Sequence, residues 1–180
     1  APRRQQSFLM MLDAFLPEGI TELAVDSIFM MPQLGVLSKQ YPEVATEVFE
    51  KDCMIRLGTA VAPWGAGKAG QPMMKATITL PGGKTETRSL SYGELALIPL
   101  GVGEVAEAVI EPTKGFDLGL GKGKPVTRTL KGGEVGIVLD ARGRRPFEIP
   151  KDRSRRVELL KRWNEALNMY PREVAEPAMV

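Results

Sequence analysis

The chemistry of this chain is concentrated in residues 115–150, GFDLGLGKGKPVTRTLKGGEVGIVLDARGRRPFEIP, where a glycine-rich loop, strand patterning and a basic run meet. Glycines let backbone N–H groups turn toward an anion, and lysines beside them add charge. Gly119, Gly121, Lys122, Gly123 and Lys124 therefore form a candidate anion-binding loop, with a solvated glycine loop as the alternative. As a P-loop the segment fails. Its spacing is one residue too long, and Gly123 stands where Ser or Thr would hold magnesium. Gly65-Ala66-Gly67-Lys68-Ala69-Gly70 matches GxGxxG as a string, but that fingerprint needs a strand feeding a helix. Here Pro63-Trp64 precede it and Gln71-Pro72 lead into a strand, so a flexible connector is expected.

The chain has no histidine and one cysteine, Cys53. That removes Ser/His/Asp and Cys/His catalysis as ordinarily built, imidazole zinc sites, multi-cysteine zinc sites and any internal disulfide. Carboxylate, Lys or Tyr chemistry and hard-cation binding survive, yet no acids are paired by local geometry. On the predicted strand Glu104 to Glu111, Glu107 and Glu111 share one face and Glu104 takes the other. The residues imply no catalytic group, no metal site and no cofactor.

Charge is uneven. Residues 142–162 hold nine basic residues against three acidic ones, which sets this segment at +6 and the remainder of a +2 chain at −4. Arg142, Arg144, Arg145, Arg155, Arg156 and Arg162 are candidate docking residues for an acidic protein surface, with the arginines facing outward. The alternatives are a stand-alone module that binds an anionic ligand through this segment or the Gly119–Lys124 loop, and a solvated helix face. Aromatic residues are scarce in the segment and it lacks a nucleic-acid-binding pattern, so RNA or DNA is not the expected partner.

The elements that position these groups follow from periodicity. Residues 3–16 carry Phe8, Leu12 and Phe15 at helical spacing, and Pro17-Glu18-Gly19 ends that helix. Between Ile20 and Cys53 the apolar spacing is helical, with Pro32 and Pro42 each opening a helix, over 33–39 and 43–52. Ile28-Phe29-Met30-Met31 is a run of soft apolar side chains. Such a run serves either as an adaptable contact surface or as core, and core is the commoner fate. From Met54 the period becomes two, predicting strands at 54–62, 74–80, 85–90, 95–100, 104–111 and 134–140. Pro81-Gly82-Gly83-Lys84 and Ser91-Tyr92-Gly93-Glu94 read as turns, and 125–130, 134–140 and 146–149 as a three-stranded meander. Asp152 caps a helix over 153–169, with Leu160, Trp163 and Leu167 on its packed side, and 172–180 reads as a tail.

With 43% hydrophobic residues in 180, the chain is long enough for one real core. The expected fold is α+β: an antiparallel β-sandwich or small β-barrel flanked by N-terminal helices and a C-terminal helix. It divides into a helical segment 1–53, a β-rich domain 54–150, and a helix and tail 151–180. No apolar run reaches the roughly 20 residues of a membrane span, so a cytoplasmic protein is expected. The start at Ala1 suggests a processed chain or a fragment.

Five stretches carry a family resemblance: 17–24 (PEGITELA), 31–38 (MPQLGVLS), 52–59 (DCMIRLGT), 114–119 (KGFDLG) and 136–144 (GIVLDARGR). Together they resemble the C-terminal part of the MutL-type accessory proteins of glutamate mutase, which are actin-like ATPases unrelated to mismatch repair. The likeness runs from about Pro17 to Leu167. Asp117 to Lys124 also resembles the DxGxTxxK phosphate loop of actin-like ATPases, with Gly121 in place of the hydroxyl residue. In that family the phosphate-binding segments lie upstream, and none maps onto residues here. The resemblance implies a non-catalytic domain whose partners are the remainder of the ATPase and a coenzyme B12-dependent mutase, assisted in a chaperone-like way.

Overall fold

The computed structural model describes residues 3–145 and 147–170, so the reading of 172–180 as a tail lies outside the described residues. Two four-stranded sheets form the body. The first contains β1 (Gly19–Asp26), β2 (Met54–Ala62), β5 (Leu95–Ile98) and β8 (Gly136–Asp140), in the order β1-β2-β8-β5. The second contains β3 (Pro72–Thr79), β4 (Thr85–Ser91), β6 (Val105–Pro112) and β7 (Val126–Lys131), in the order β4-β3-β6-β7. Helices α1 (Arg4–Phe15) and α4 (Arg153–Ala166) flank the sheets, and α2 (Met31–Leu37) and α3 (Pro42–Val48) lie between β1 and β2. The fold is α+β. No helix among the described residues is long and apolar enough to cross a membrane.

Alternation explains the layering. In β8, Ile137 and Leu139 join an apolar cluster that also takes Met73, Ile78, Ile110 and Leu130 from the second sheet. Val138, pointing the other way, joins Leu57 and Leu95 against Phe8 and Leu12 of α1 and Trp163 near the end of α4. The first sheet is thus covered on both faces, and each such aliphatic side chain contributes about 1.5–3 kcal/mol by its burial. In β6 one face is buried (Ala106, Ala108, Ile110) and the other exposed, including Glu107 and Glu111. Glu104 sits in the turn before this strand, its carboxylate accepting from the Gly101 N–H at 2.6 Å.

All strand pairs are antiparallel except β2 with β8, where Gly58 faces Gly136. A Cβ on Gly58 would lie 1.9 Å from the Gly136 carbonyl oxygen, so side chains are excluded from this crossing. The 81–84 turn closes the β3–β4 hairpin as expected, and the 91–94 turn carries the chain from the second sheet to the first.

Three expectations change. Residues 20–26 are not helical but form β1, and a bulge at Leu23/Ala24 breaks the alternation that would have announced a strand. The meander over 125–149 does not form: β7 pairs with β6 in the second sheet, while β8 lies between β2 and β5. Being buried on both sides, β8 belongs at a sheet centre. In the terminal helices, Phe15 and Leu160 are exposed, whereas Phe8, Leu12, Trp163 and Leu167 are buried as expected.

Candidate functional site

The glycine loop between β6 and β7 already contains its anion. Asp117 is buried, tied into the fold by paired backbone hydrogen bonds with Trp64 at 2.9 and 3.0 Å. Its Oδ1 accepts from the N–H groups of Gly119 (2.7 Å) and Gly121 (2.9 Å). The Gly123 N–H donates to the Phe116 carbonyl, and that of Lys124 to the Gly121 carbonyl. These four amides are engaged inside the loop, while the side chains of Leu120, Lys122 and Lys124 are exposed. The GxGxxG string is likewise a packing device: a Cβ on Gly67 would lie 2.6 Å from the Tyr92 ring and 2.7 Å from that of Phe116.

The basic segment divides in two. Arg142 and Arg144 are 2% and 1% exposed, which corrects the expectation that they face outward. Leaving β8, Asp140, Arg142 and Arg144 come together as one cluster. Arg142 Nε and Nη2 donate to Asp140 Oδ1 and Oδ2 at 3.0 and 2.9 Å, and Arg144 Nη2 donates to Oδ2 at 2.8 Å. Arg142 Nη1 reaches Asp13 of α1 at 2.7 Å, and Arg144 Nε reaches the Pro17 carbonyl at 3.0 Å. The Arg142 guanidinium also lies 4.8 Å from the Trp163 ring centroid and 5.0 Å from that of Phe147, within cation–π range. Trp163 is fixed in turn by its Nε1–H, which donates to the Gly93 carbonyl at 2.8 Å.

Burial alone would raise the Asp140 carboxyl, but the charges and hydrogen bonds of Arg142 and Arg144 hold it below its ordinary 3.8. Burial works against the Arg142 guanidinium as well, and Asp140 with Asp13 more than compensates, raising it. With each guanidinium nitrogen of Arg142 and Arg144 hydrogen-bonded, this is a structural hub joining α1, β8 and α4. Of the remaining arginines, Arg145 is exposed but ion-paired with Glu18 at 2.6 Å, and Arg156 is half-buried beneath the carbonyls of Pro150 and Lys151. Arg155 and Arg162 are exposed and make no side-chain ion pair among the described residues.

The excursion over residues 27–53 is the opposite case. Asp26 and Met54 pair directly, so a tight turn would have sufficed to join β1 and β2. Instead the chain leaves through a neck closed by the Ser27 N–H and Oγ–H, both donating to the Cys53 carbonyl at 2.9 and 3.0 Å. It forms α2, α3 and a π-helical turn over Phe49–Cys53. Pro32 and Pro42 sit in the first turns of α2 and α3, where a missing N–H costs nothing. The interior is small, built from Leu34, Ala45 and Cys53 with Met30, Val48 and Phe49 packed around them. Ile28, Phe29, Met31, Val36, Leu37, Tyr41 and Val44 are all exposed.

Phe29 is the extreme, 83% exposed with φ +56°, a left-handed conformation that costs a bulky residue about 1–2 kcal/mol. Asp26 holds it there: its two carboxylate oxygens accept from the N–H groups of Ile28 (3.1 Å) and Met31 (3.2 Å). Desolvation pushes this carboxyl up, and the surrounding backbone donors outweigh that and lower it. Cys53 is buried beside Asp26 and Asp52, and burial with those charges pushes its thiol up, away from the reactive thiolate. Sequence reasoning had the signal for both features: the Asp-x-Arg-x-Arg spacing at 140–144 and the apolar run at 28–31.

No protein-family model, curated protein or solved structure matches the chain.

Proposed function

We propose that this chain is a non-catalytic docking or scaffolding domain of an accessory ATPase resembling those that assist a coenzyme B12-dependent mutase, and that the 27–53 excursion is its docking element. The supporting observation is the exposure of seven large apolar side chains on one small appendage whose own interior holds only three buried residues. Exposed apolar groups gathered on one short segment in this way mark interaction sites. A strained residue held open by dedicated hydrogen bonds points the same way, because strain persists where a function uses it. The apolar cluster shared by the two sheets supports a sandwich-like packing of the body that carries the appendage.

The test mixes the purified chain in turn with a coenzyme B12-dependent glutamate mutase, an ATP analogue and RNA, reading binding by calorimetry. Binding of the mutase alone, weakened in Phe29→Ser, is the expected result. Binding of the nucleotide or RNA without the mutase would replace docking with an anion-binding function for the exposed lysines and arginines.

A further inference from the structure

Two exposed grooves on this chain complement one another. One runs along α3 and the π-helical turn, lined by Glu43, Glu47 and Glu50 against a single Lys51. Lys51 is already paired with Glu47, while Glu43 and Glu50 make no ion pair among the described residues. The same excursion carries Phe29, Val36 and Val44 in the open. The other groove lies along the outer side of α4, lined by Arg153, Val157 and Lys161 with one carboxylate, Glu158. Val157 and Leu160 are exposed there. Neither Arg153 nor Lys161 has an ion-pair partner among the described residues. The excursion thus carries both exposed apolar side chains and an acidic groove, and α4 carries both exposed apolar side chains and a basic groove.

We infer that the excursion of one copy docks on the outer face of α4 of a second copy. A face-to-face contact between two excursions would set glutamates against glutamates, whereas the excursion-to-α4 contact pairs opposite charges around apolar centres. Because the two surfaces differ, the contact is head-to-tail, so it leads to short chains or a closed ring and not to a simple two-fold dimer. Phe29 is held outward before contact by Asp26, which reduces the ordering cost of using it as an anchor. This inference rests on the excursion being a docking element.

The experiment is sedimentation velocity on the full chain over a dilution series at low and high salt. The wild-type chain is expected to gain mass with concentration, less steeply at high salt. Phe29→Ser and, separately, Val157→Asp combined with Lys161→Glu should each weaken self-association about thirtyfold, the scale of a central aromatic anchor. Val36→Glu substitutes for Phe29→Ser if the latter melts differently from the parent. The decisive arm mixes the two variants. Each lacks one surface and keeps the other, so the mixture should form a 1:1 heterodimer that grows no further.

A wild-type chain monomeric at every concentration, or a mixture that stays monomeric while wild type assembles, overturns the inference. So does a monomeric chain that sediments with phosphatidylcholine vesicles in a Phe29-dependent way. Monomeric behaviour alongside Phe29-dependent mutase binding removes the self-docking alone; loss of both removes the docking reading as well.

Discussion

The hub at Asp140 and the excursion at Phe29 invert the usual placement of polar and apolar groups. In the hub two guanidinium groups lie inside the protein, and in the excursion seven large apolar side chains lie on its outside. In the hub each charge meets an opposite charge, a carbonyl or an aromatic face, and the cluster ties both terminal helices to the first sheet. In the excursion little is buried, and a hydrogen-bonded carboxylate keeps a strained aromatic in the open. The contrast separates two roles that a basic, apolar-rich sequence confounds: the inward arginines stabilise the fold, and the outward hydrophobes are available for contact.

The largest effect that would sharpen this contrast comes from Asp140→Ala, which strands the buried Arg144 and leaves the buried Arg142 with the half-exposed Asp13 alone. We expect a loss of about 3–5 kcal/mol in urea unfolding, the usual cost of breaking a buried pair from one side. Replacing Asp140, Arg142 and Arg144 together by Leu, Met and Met should recover much of that loss, since no charge is then stranded. A neutral Asp140→Ala would show that the hub does not stabilise the fold. For the same reason, substituting Arg144 with Ser destabilises the chain, whereas the exposed Arg155 does not.

Acid gives a milder version of the same experiment. Asp140 has a folded pKa below its ordinary 3.8, so its contribution is fully present above that value and is lost as pH falls through the folded one. Thermal stability should therefore hold through mildly acidic pH and drop below about pH 4. Asp26 shifts in the same direction, so acid also releases Phe29 from its strained conformation. That release should appear as faster amide exchange confined to residues 27–31. Loss of stability starting near neutral pH would contradict both assignments.

Trp163→Phe keeps the ring over Arg142 but removes the Nε1–H bond to the Gly93 carbonyl. A cost of about 0.5–1.5 kcal/mol is expected from chemical denaturation. The smallest effect belongs to Phe29→Ser, whose stability should stay within about 0.5 kcal/mol of the parent, as for other exposed sites. A large destabilisation there would make Phe29 part of the core and close the comparison.

Part of the body is legible because alternation in β3 and β6 is a direct record of which face is buried. What failed did so for local reasons. The bulge at Leu23/Ala24 shifts the phase of β1 midway, so its apolar residues mimic helical spacing. The position of β8 depends on partners far away in the chain, β2 and β5, which a preference for neighbouring turns cannot reveal. Charge density in 142–162 pointed outward because arginine is usually exposed, yet Asp140 two residues before Arg142 supplied the counter-charge for burial. An apolar run such as 28–31 is usually core, and Met30 does pack into the small interior, whereas Ile28, Phe29 and Met31 are exposed where Asp26 accepts from the Ile28 and Met31 N–H groups. The glycine loop offered amides to an anion, and Asp117, at the head of that loop, occupies two of them.

Hydrogen exchange followed by mass spectrometry, on dilute and concentrated chain, tests the separation of fold and contact most directly. Amides of residues 27–53 should exchange through local opening in dilute solution and become protected at high concentration, together with the outer face of α4. Amides around Asp140 to Arg144 should exchange only through global unfolding and be indifferent to concentration. The account is contradicted if residues 27–53 are already as protected as β2 and β8 in dilute solution and do not change as the chain is concentrated.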